Sequence, residues 1–279
     1  MKNLNVGIYG LGLIGGSLAK ALSRSSPELT IMGYDRSRKR LHMSLEDGSI
    51  TEVLRGNKYK EVDVLFLAIP VERSKEVGRK LIAKLRTDAI LTDCGSVKGP
   101  ICDELSEYTK GPFFIGGHPI AGTEKSGYEN CFPDLFKSRV VFLTPYKGTP
   151  ASKIRMVKSL WKRTGARVLE VGAGYHDHVF AFVSHLPHIV AYSLVHAVAT
   201  FDSALPLGYS AGGFKDFTRI ASSDPTMWSE IMVENKREIV MALRHFKKNL
   251  SQLEALIREE DVPGMNRYFN LSKKKRDSI

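Results

Sequence analysis

Cysteine is scarce in this chain. Cys94, Cys102 and Cys131 are three in 279 residues, odd in number and irregularly spaced. That excludes a disulfide framework or a cysteine-built zinc site and points to a reducing compartment, the cytoplasm. Long apolar runs are missing too. Each is interrupted by charge or histidine before it reaches the roughly 20 residues that span a bilayer, so no membrane crossing is expected. No signal peptide is expected either, because the run 6–15 is broken by glycine and leads straight into a folding motif. There is no internal repeat. A basic stretch interleaved with aromatics, as in RNA-binding platforms, is absent. The excess of 41 Lys+Arg over 30 Asp+Glu, a net charge of +11, therefore suits anionic small molecules and a solvated surface better than nucleic acid. Its densest runs are 36–40 and 273–276, and the second is expected to be a frayed tail.

What the sequence does have begins at its start. Val6, Ile8 and Tyr9 form a strand-like run, then come Gly10, Leu11, Gly12, Leu13, Ile14 and Gly15, then a helical pattern through Leu22. A GxGxxG between strand and helix is a dinucleotide fingerprint. Gly10 permits the tight turn, Gly12 lets backbone approach a pyrophosphate, and Gly15 lets helix pack on strand. The helix N-terminus offers free N–H groups to phosphates. A second run, 30–34, ends in Asp35, about twenty residues on, where a carboxylate is expected to meet the ribose. Asp35 favours NAD. Arg36, Arg38 and Lys39 beside it leave NADP as the lesser alternative.

Strand and helix then alternate. Residues 61–69 are a near-continuous apolar strand stopped by Pro70, as in a parallel sheet covered on both faces. Ligands lie just beyond the carboxyl ends of such strands, which puts Ala68 and Pro70 beside the cofactor. Strand 89–93 runs into a loop carrying Ser96, on the ligand side, where Ser96 is a site residue, the N-cap of a helix over 100–108, or both together. Strand 113–117 leads to His118, placed to serve as a base or to bond a backbone carbonyl. Further strands are expected over 139–145 and 166–171, with an amphipathic helix over 154–163 between them. The alternation specifies an α/β, doubly wound Rossmann-type sheet over residues 1–172.

After residue 172 the pattern becomes all-helical, giving a second domain over 173–279. Residues 175–200 read as one long apolar helix with a kink expected at Pro187. It carries His176, His178, His185, His188 and His196. No matching cysteine or carboxylate cluster makes these a metal site, so they are core, interface or cleft histidines. Residues 224–256 read as helical, with Pro225 in the first turn. Arg219 either pairs with Asp216 or offers a planar fork to a substrate carboxylate.

Taken together, 10–17, 92–98, 118–127, 184–188 and 217–221 with Trp228 make the chain resemble the prephenate dehydrogenase family, with its arogenate-using relatives, over nearly its whole length. The resemblance implies oxidative decarboxylation of prephenate to 4-hydroxyphenylpyruvate in tyrosine biosynthesis. By that analogy His118 accepts the hydroxyl proton and Ser96 orients the hydroxyl or the imidazole. Arg219 holds a carboxylate across the cofactor from His118, and His188, His185 and Glu124 line the substrate pocket. Trp228 packs between helices, and no metal is called for. The helical domain is implied to be a dimerisation domain, giving a homodimer, as an all-round apolar helix needs cover. The alternatives are an arogenate or other dehydrogenase on the same scaffold, or a non-catalytic NAD(H) sensor. A sensor would need the glycine loop and Asp35 but not His118, Ser96 and Arg219 together.

Overall fold

Residues 4–105, 111–123, 125–201 and 210–279 are described by the structure, a computed structural model. Strand β1 (Asn5–Tyr9) lies inside an eight-stranded sheet. To one side are β2 (Thr30–Tyr34) and the two-residue edge strand β3 (Glu52–Val53). To the other are β4 (Val64–Leu67), β5 (Ile90–Asp93), β6 (Phe113–Pro119), β7 (Val140–Pro145) and β8 (Arg167–Glu170). Strand order turns back between β1 and β4, and the crevice of a doubly wound sheet opens at that point.

The sheet is parallel except where β7 runs antiparallel to β6. Strand–helix alternation did not reveal this. The link between β6 and β7 carries a short 3-10 turn, Tyr128–Asn130, and no crossover helix. Without a crossover the chain returns antiparallel. That link is tied down by Tyr128, whose hydroxyl donates to Asp47 Oδ2 at 2.9 Å. β3 escaped sequence reading because two residues carry no periodicity.

Both faces of the sheet are covered, as the apolar strands require. Ile8 and Phe66 point to one core, with Leu18 and Leu22 of α1 (Leu13–Ser25) and Trp161 of α5 (Ala151–Arg163). Leu65, Leu67 and Leu91 point to the other. They meet Leu81 of α3 (Val71–Ile82) and Leu105 of α4 (Gly99–Leu105) there. A polar helix, α2 (Arg38–Glu46), follows β2.

The helical part starts at α6 (Ala173–Phe180), passes through a π-helical turn, Ala181–His185, and continues as α7 (Leu186–Phe201). The irregularity expected at Pro187 therefore lies just before it. A wider turn relieves the crowding of the ring against the carbonyl four residues back. By length and composition alone 173–201 would be long enough to cross a membrane, more than the interrupted runs suggested. Here it buries His176, Asp177 and His185 with hydrogen-bonding partners. Next come α8 (Gly212–Thr218), α9 (Pro225–Glu234), α10 (Lys236–Arg258) and α11 (Val262–Arg276). The helix expected over 224–256 is thus two helices. Asn235 breaks it, because its amide turns inward to Asp177 O and His185 Nδ1. The basic end is not frayed. Lys273 to Arg276 form the last turn of α11, where cations suit the helix dipole.

Candidate active site

The glycine loop is shaped by close approaches. Gly10 has φ +103°, and a Cβ there would fall 2.3 Å from Ala68 O. A Cβ on Gly15 would fall 1.8 Å from Gly10 O. By contrast, a Cβ on Gly12 would meet nothing within 4 Å, because the loop faces open space there. Gly12 is also the N-cap of α1 and supplies no side-chain cap, so the first N–H groups of the helix remain available to an anion. A cavity of about 550 Å³ runs along this loop past Tyr9, Asp35, Arg36, Ala68 and Pro70. Asp35 accepts from Leu11 N–H through Oδ2 and from Ser37 N–H through Oδ1, both at 2.8 Å. One carboxylate thus joins the ends of β1 and β2, and each oxygen keeps acceptor capacity. The donor set, the open glycine and the acid fit a dinucleotide.

A second cavity, about 500 Å³, shares Gly12, Ala68, Ile69 and Pro70 with the first. Its walls include Leu13, Ile14, Ser96 and His118 from the sheet side, and His185, Trp228 and Glu230 from the helices. His118 and Ser96 are placed by one buried acid. Asp93 ends β5, is ion-paired with the fully buried Lys98, and accepts from Gly95 N–H at 2.9 Å and Gly117 N–H at 3.0 Å. The first contact shapes the Ser96 loop and the second fixes the backbone just before His118.

Burial holds the His118 imidazole well below its ordinary pKa of 6.5, with His176, Lys98 and His185 adding to the effect. At neutral pH it is an uncharged base. Its Nδ1 lies 2.8 Å from His176 Nε2, and His176 Nδ1 lies 2.8 Å from Asp177 Oδ1. Asp177 Oδ1 also accepts from Lys98 N–H at 2.8 Å, and Oδ2 from Gly99 N–H at 2.7 Å. Asp177, not Ser96, therefore serves the first N–H groups of α4, and Ser96 stays on the cavity wall. Burial also lowers His185, to about 4.

The structure brings together Gly10, Gly12, Asp35, Ala68 and Pro70 along the first cavity, and Leu13, Ile14, Ser96, His118 and His185 around the second. Leu11 is fully buried and contributes its backbone to Asp35. His188 stands behind the wall. It stacks on Trp228 with ring centroids 3.7 Å apart and donates Nδ1–H to Ser184 O at 2.9 Å. Trp228, expected to pack between helices, also lines the cavity, and its buried Nε1 has no hydrogen-bond partner among the described residues. Arg219 opens the turn Arg219–Ser222, is exposed, and lines neither cavity. The second cavity brings His118 together with His185 and Trp228. Glu124 lies outside the described residues. Among the described residues no group of three or more His, Cys, Asp or Glu is arranged to hold a metal. Sequence reading gave no role to Asp177 or Lys98 and left His176 among the core, interface or cleft histidines. An adjacent His-Asp pair at a helix start was the available signal.

Comparison with known proteins gives the family. Residues 18–170 match the prephenate dehydrogenase nucleotide-binding domain, and residues 173–271 match the prephenate dehydrogenase dimerization domain. A cyclohexadienyl dehydrogenase of Zymomonas mobilis is 35% identical over 98% of this chain and 94% of its own length. A prephenate dehydrogenase of Bacillus subtilis is 34% identical over 98% of this chain and 75% of its own. The crystal structure of prephenate dehydrogenase from A. aeolicus, in complex with hydroxyphenyl propionate and NAD+, superposes with a TM-score of 0.93 at 40% identity. It covers 100% of this chain and 99% of its own. With a glycine loop, an acid at the end of β2 and a neutral, partly buried histidine along adjoining cavities, and with both family domains matched, this chain belongs to the prephenate dehydrogenase family.

Proposed function

We propose that His118 and Ser96 carry the NAD-dependent oxidative decarboxylation of prephenate to 4-hydroxyphenylpyruvate, the step that commits the ring to tyrosine. NAD, when bound, would supply the acceptor for the hydride that leaves the ring carbon bearing the hydroxyl. Gly10, Leu11, Gly12, Leu13, Ile14 and Gly15 hold its phosphates. Asp35 accepts from a ribose hydroxyl and repels a 2′-phosphate, and Ala68 and Pro70 form the opposite wall. The division of labour falls at 172/173, with cofactor on one side and substrate and partner on the other.

His118 receives the hydroxyl proton as the ring carbon becomes ketone-like, and Ser96 hydrogen-bonds the same oxygen. Loss of carbon dioxide makes the ring aromatic, and His118 returns its proton to the phenolic oxygen, so proton and charge balance. His185 is neutral, and its Nδ1 accepts from Asn235. That leaves Nε2–H as a donor to substrate. Trp228 Nε1 is a second donor, without a partner among the described residues. Arg219 stands four residues before Ser223 on the cavity rim and supplies a planar fork for a substrate carboxylate. His188 supports Trp228, and Glu124 is kept as a substrate-pocket residue by the family resemblance alone.

The observation that carries this reading is a buried imidazole held neutral on the cavity that adjoins the glycine loop. A second reading has its own support. Asp224 and Glu230 line the substrate cavity, and acids there suit the ammonium of arogenate. Both readings are tested by mixing the purified chain with prephenate or arogenate and with NAD or NADP, following reduced nicotinamide by absorbance. Prephenate with NAD is expected to turn over fastest. Faster arogenate turnover would reverse the preference, and silence with both would remove the enzyme reading.

A homodimer is proposed through the helical lobe, where Val183, Val233, Leu250 and Ile257 are more than half exposed. The free thiols of Cys94, Cys102 and Cys131 suit the cytoplasm.

A further inference from the structure

We propose that His176 and Asp177 are positioning residues that fix the tautomer of His118, so that its Nε2 is the bare, proton-accepting nitrogen. The inference rests on His118 being the base, as proposed above. It follows from counting hydrogens along one buried chain of contacts. Asp177 as a carboxylate can only accept. Its Oδ1 takes Lys98 N–H at 2.8 Å and Oδ2 takes Gly99 N–H at 2.7 Å, which fixes the carboxylate in place. The hydrogen between Asp177 Oδ1 and His176 Nδ1, 2.8 Å apart, therefore belongs to His176.

A neutral imidazole carries a single N–H. His176 is 1% exposed, and burial lowers its pKa, so it is neutral at pH 7. With its hydrogen on Nδ1, its Nε2 presents a lone pair. That lone pair faces His118 Nδ1 at 2.8 Å, so His118 Nδ1 must donate. The one lone pair left on His118 is at Nε2. When His118 accepts a proton there, Nδ1–H goes on donating to His176, and nothing behind it has to rearrange. The new positive charge also faces Asp177 through one polarised ring.

The charged and titratable groups around the pair are accounted for. Lys98, from the turn after β5, lowers both histidines, and Asp93 raises His176. His185, from the π-helical turn, lowers His118, and Asp177 raises His176. Phe142 and Phe180 pack on the His176 ring and give it no competing hydrogen bond. Because His118 belongs to β6 and the relay to α6, the base is set by the opposite lobe.

The test uses the full chain. Histidine 15N NMR of the wild type is expected to show His118 and His176 both protonated at Nδ1 and bare at Nε2. A His118 protonated at Nε2 would overturn the proposal without any activity measurement. His176→Phe keeps an aromatic ring and removes the acceptor. It is expected to lower kcat by about 10²-fold, within the 10²–10⁴ range of a general base, with KM for prephenate and NAD binding within about threefold. His176→Gln can still accept from His118 and donate to Asp177, and should recover kcat to within about tenfold of wild type. Equal losses in the Phe and Gln variants, or an undiminished Phe variant, would overturn the relay. Wild-type silence on prephenate would instead strike at the functional reading.

Discussion

The sheet lobe and the helical lobe bury apolar surface in different ways. Around the sheet two large clusters close on both faces, and residues such as Leu18, Phe66 and Trp161 are fully enclosed. The described helices close only small clusters, Val97 with Trp228 and Ile231, and Ala181 with Ile239 and Ala242. The first of these already borrows Val97 from the sheet lobe. Meanwhile Val233, Leu250 and Ile257 stay exposed. One lobe is stabilised by its own core. The other closes partly against the first lobe and leaves apolar side chains exposed. Its buried polar chain, from Asn235 through Asp177 and His176 to His118, is where that dependence meets the chemistry.

Four measurements sharpen or break this contrast, from the largest expected effect downward. His118→Asn should cut kcat by about 10²–10⁴-fold while NAD affinity, a property of the glycine loop, stays near wild type. An unchanged kcat would take the chemistry away from the boundary between lobes. Leu18→Ala should cost about 2–5 kcal/mol by leaving a cavity in a closed core. Leu250→Ala, at a position 53% exposed, should cost under about 0.5 kcal/mol within one chain. Leu250→Asp should instead lower the melting temperature by weakening the proposed dimer and make it depend less on protein concentration. Equal losses at Leu18 and Leu250 would erase the distinction.

Third, Arg219→Lys should raise KM for prephenate by about tenfold, the order of one lost charge-assisted contact, with little change in kcat. If thermal stability alone fell, Arg219 would be structural. The smallest effect is on pH dependence. His118, His176, His185 and His188, which cluster at the lobe boundary, are all lowered from 6.5 by burial, His185 to about 4. Their folded pKa values lie below the unfolded ones, so the unfolded chain binds more protons in that window. Stability is therefore complete above about pH 6.5 and falls as pH drops toward 4. The acidic limb of kcat/KM should likewise lie below 6.5, since His118 must be uncharged to act. A limb at or above 6.5 would mean that the histidine is not buried in the working enzyme.

Much of the sheet lobe was legible because its signals are local. Gly10, Gly12, Gly15 and Asp35 act within thirty residues of one another, and each answers to a backbone constraint or a ribose hydroxyl. His118 and Ser96 were legible as strand-end residues. The antiparallel turn at β7 was not, since it depends on a connection that lacks a helix, and a missing helix leaves no pattern. The break at Asn235 was hidden for a related reason. Asparagine is tolerated in a helical pattern, and it was the inward pull of Asp177 O and His185 that ended the helix.

By itself the sequence determined the order of strands and helices, the nucleotide loop and the strand-end place of His118, the proposed base, because hydrophobic period, glycine geometry and strand-end position are written along the chain. Tertiary structure alone decided which side chains stand behind that base. His176 and Asp177 lie nearly sixty residues from His118, and Lys98 was buried without any local cue. A hydrogen bond needs its atoms about 2.8 Å apart, and that distance is set by how the lobes close and not by spacing in the chain.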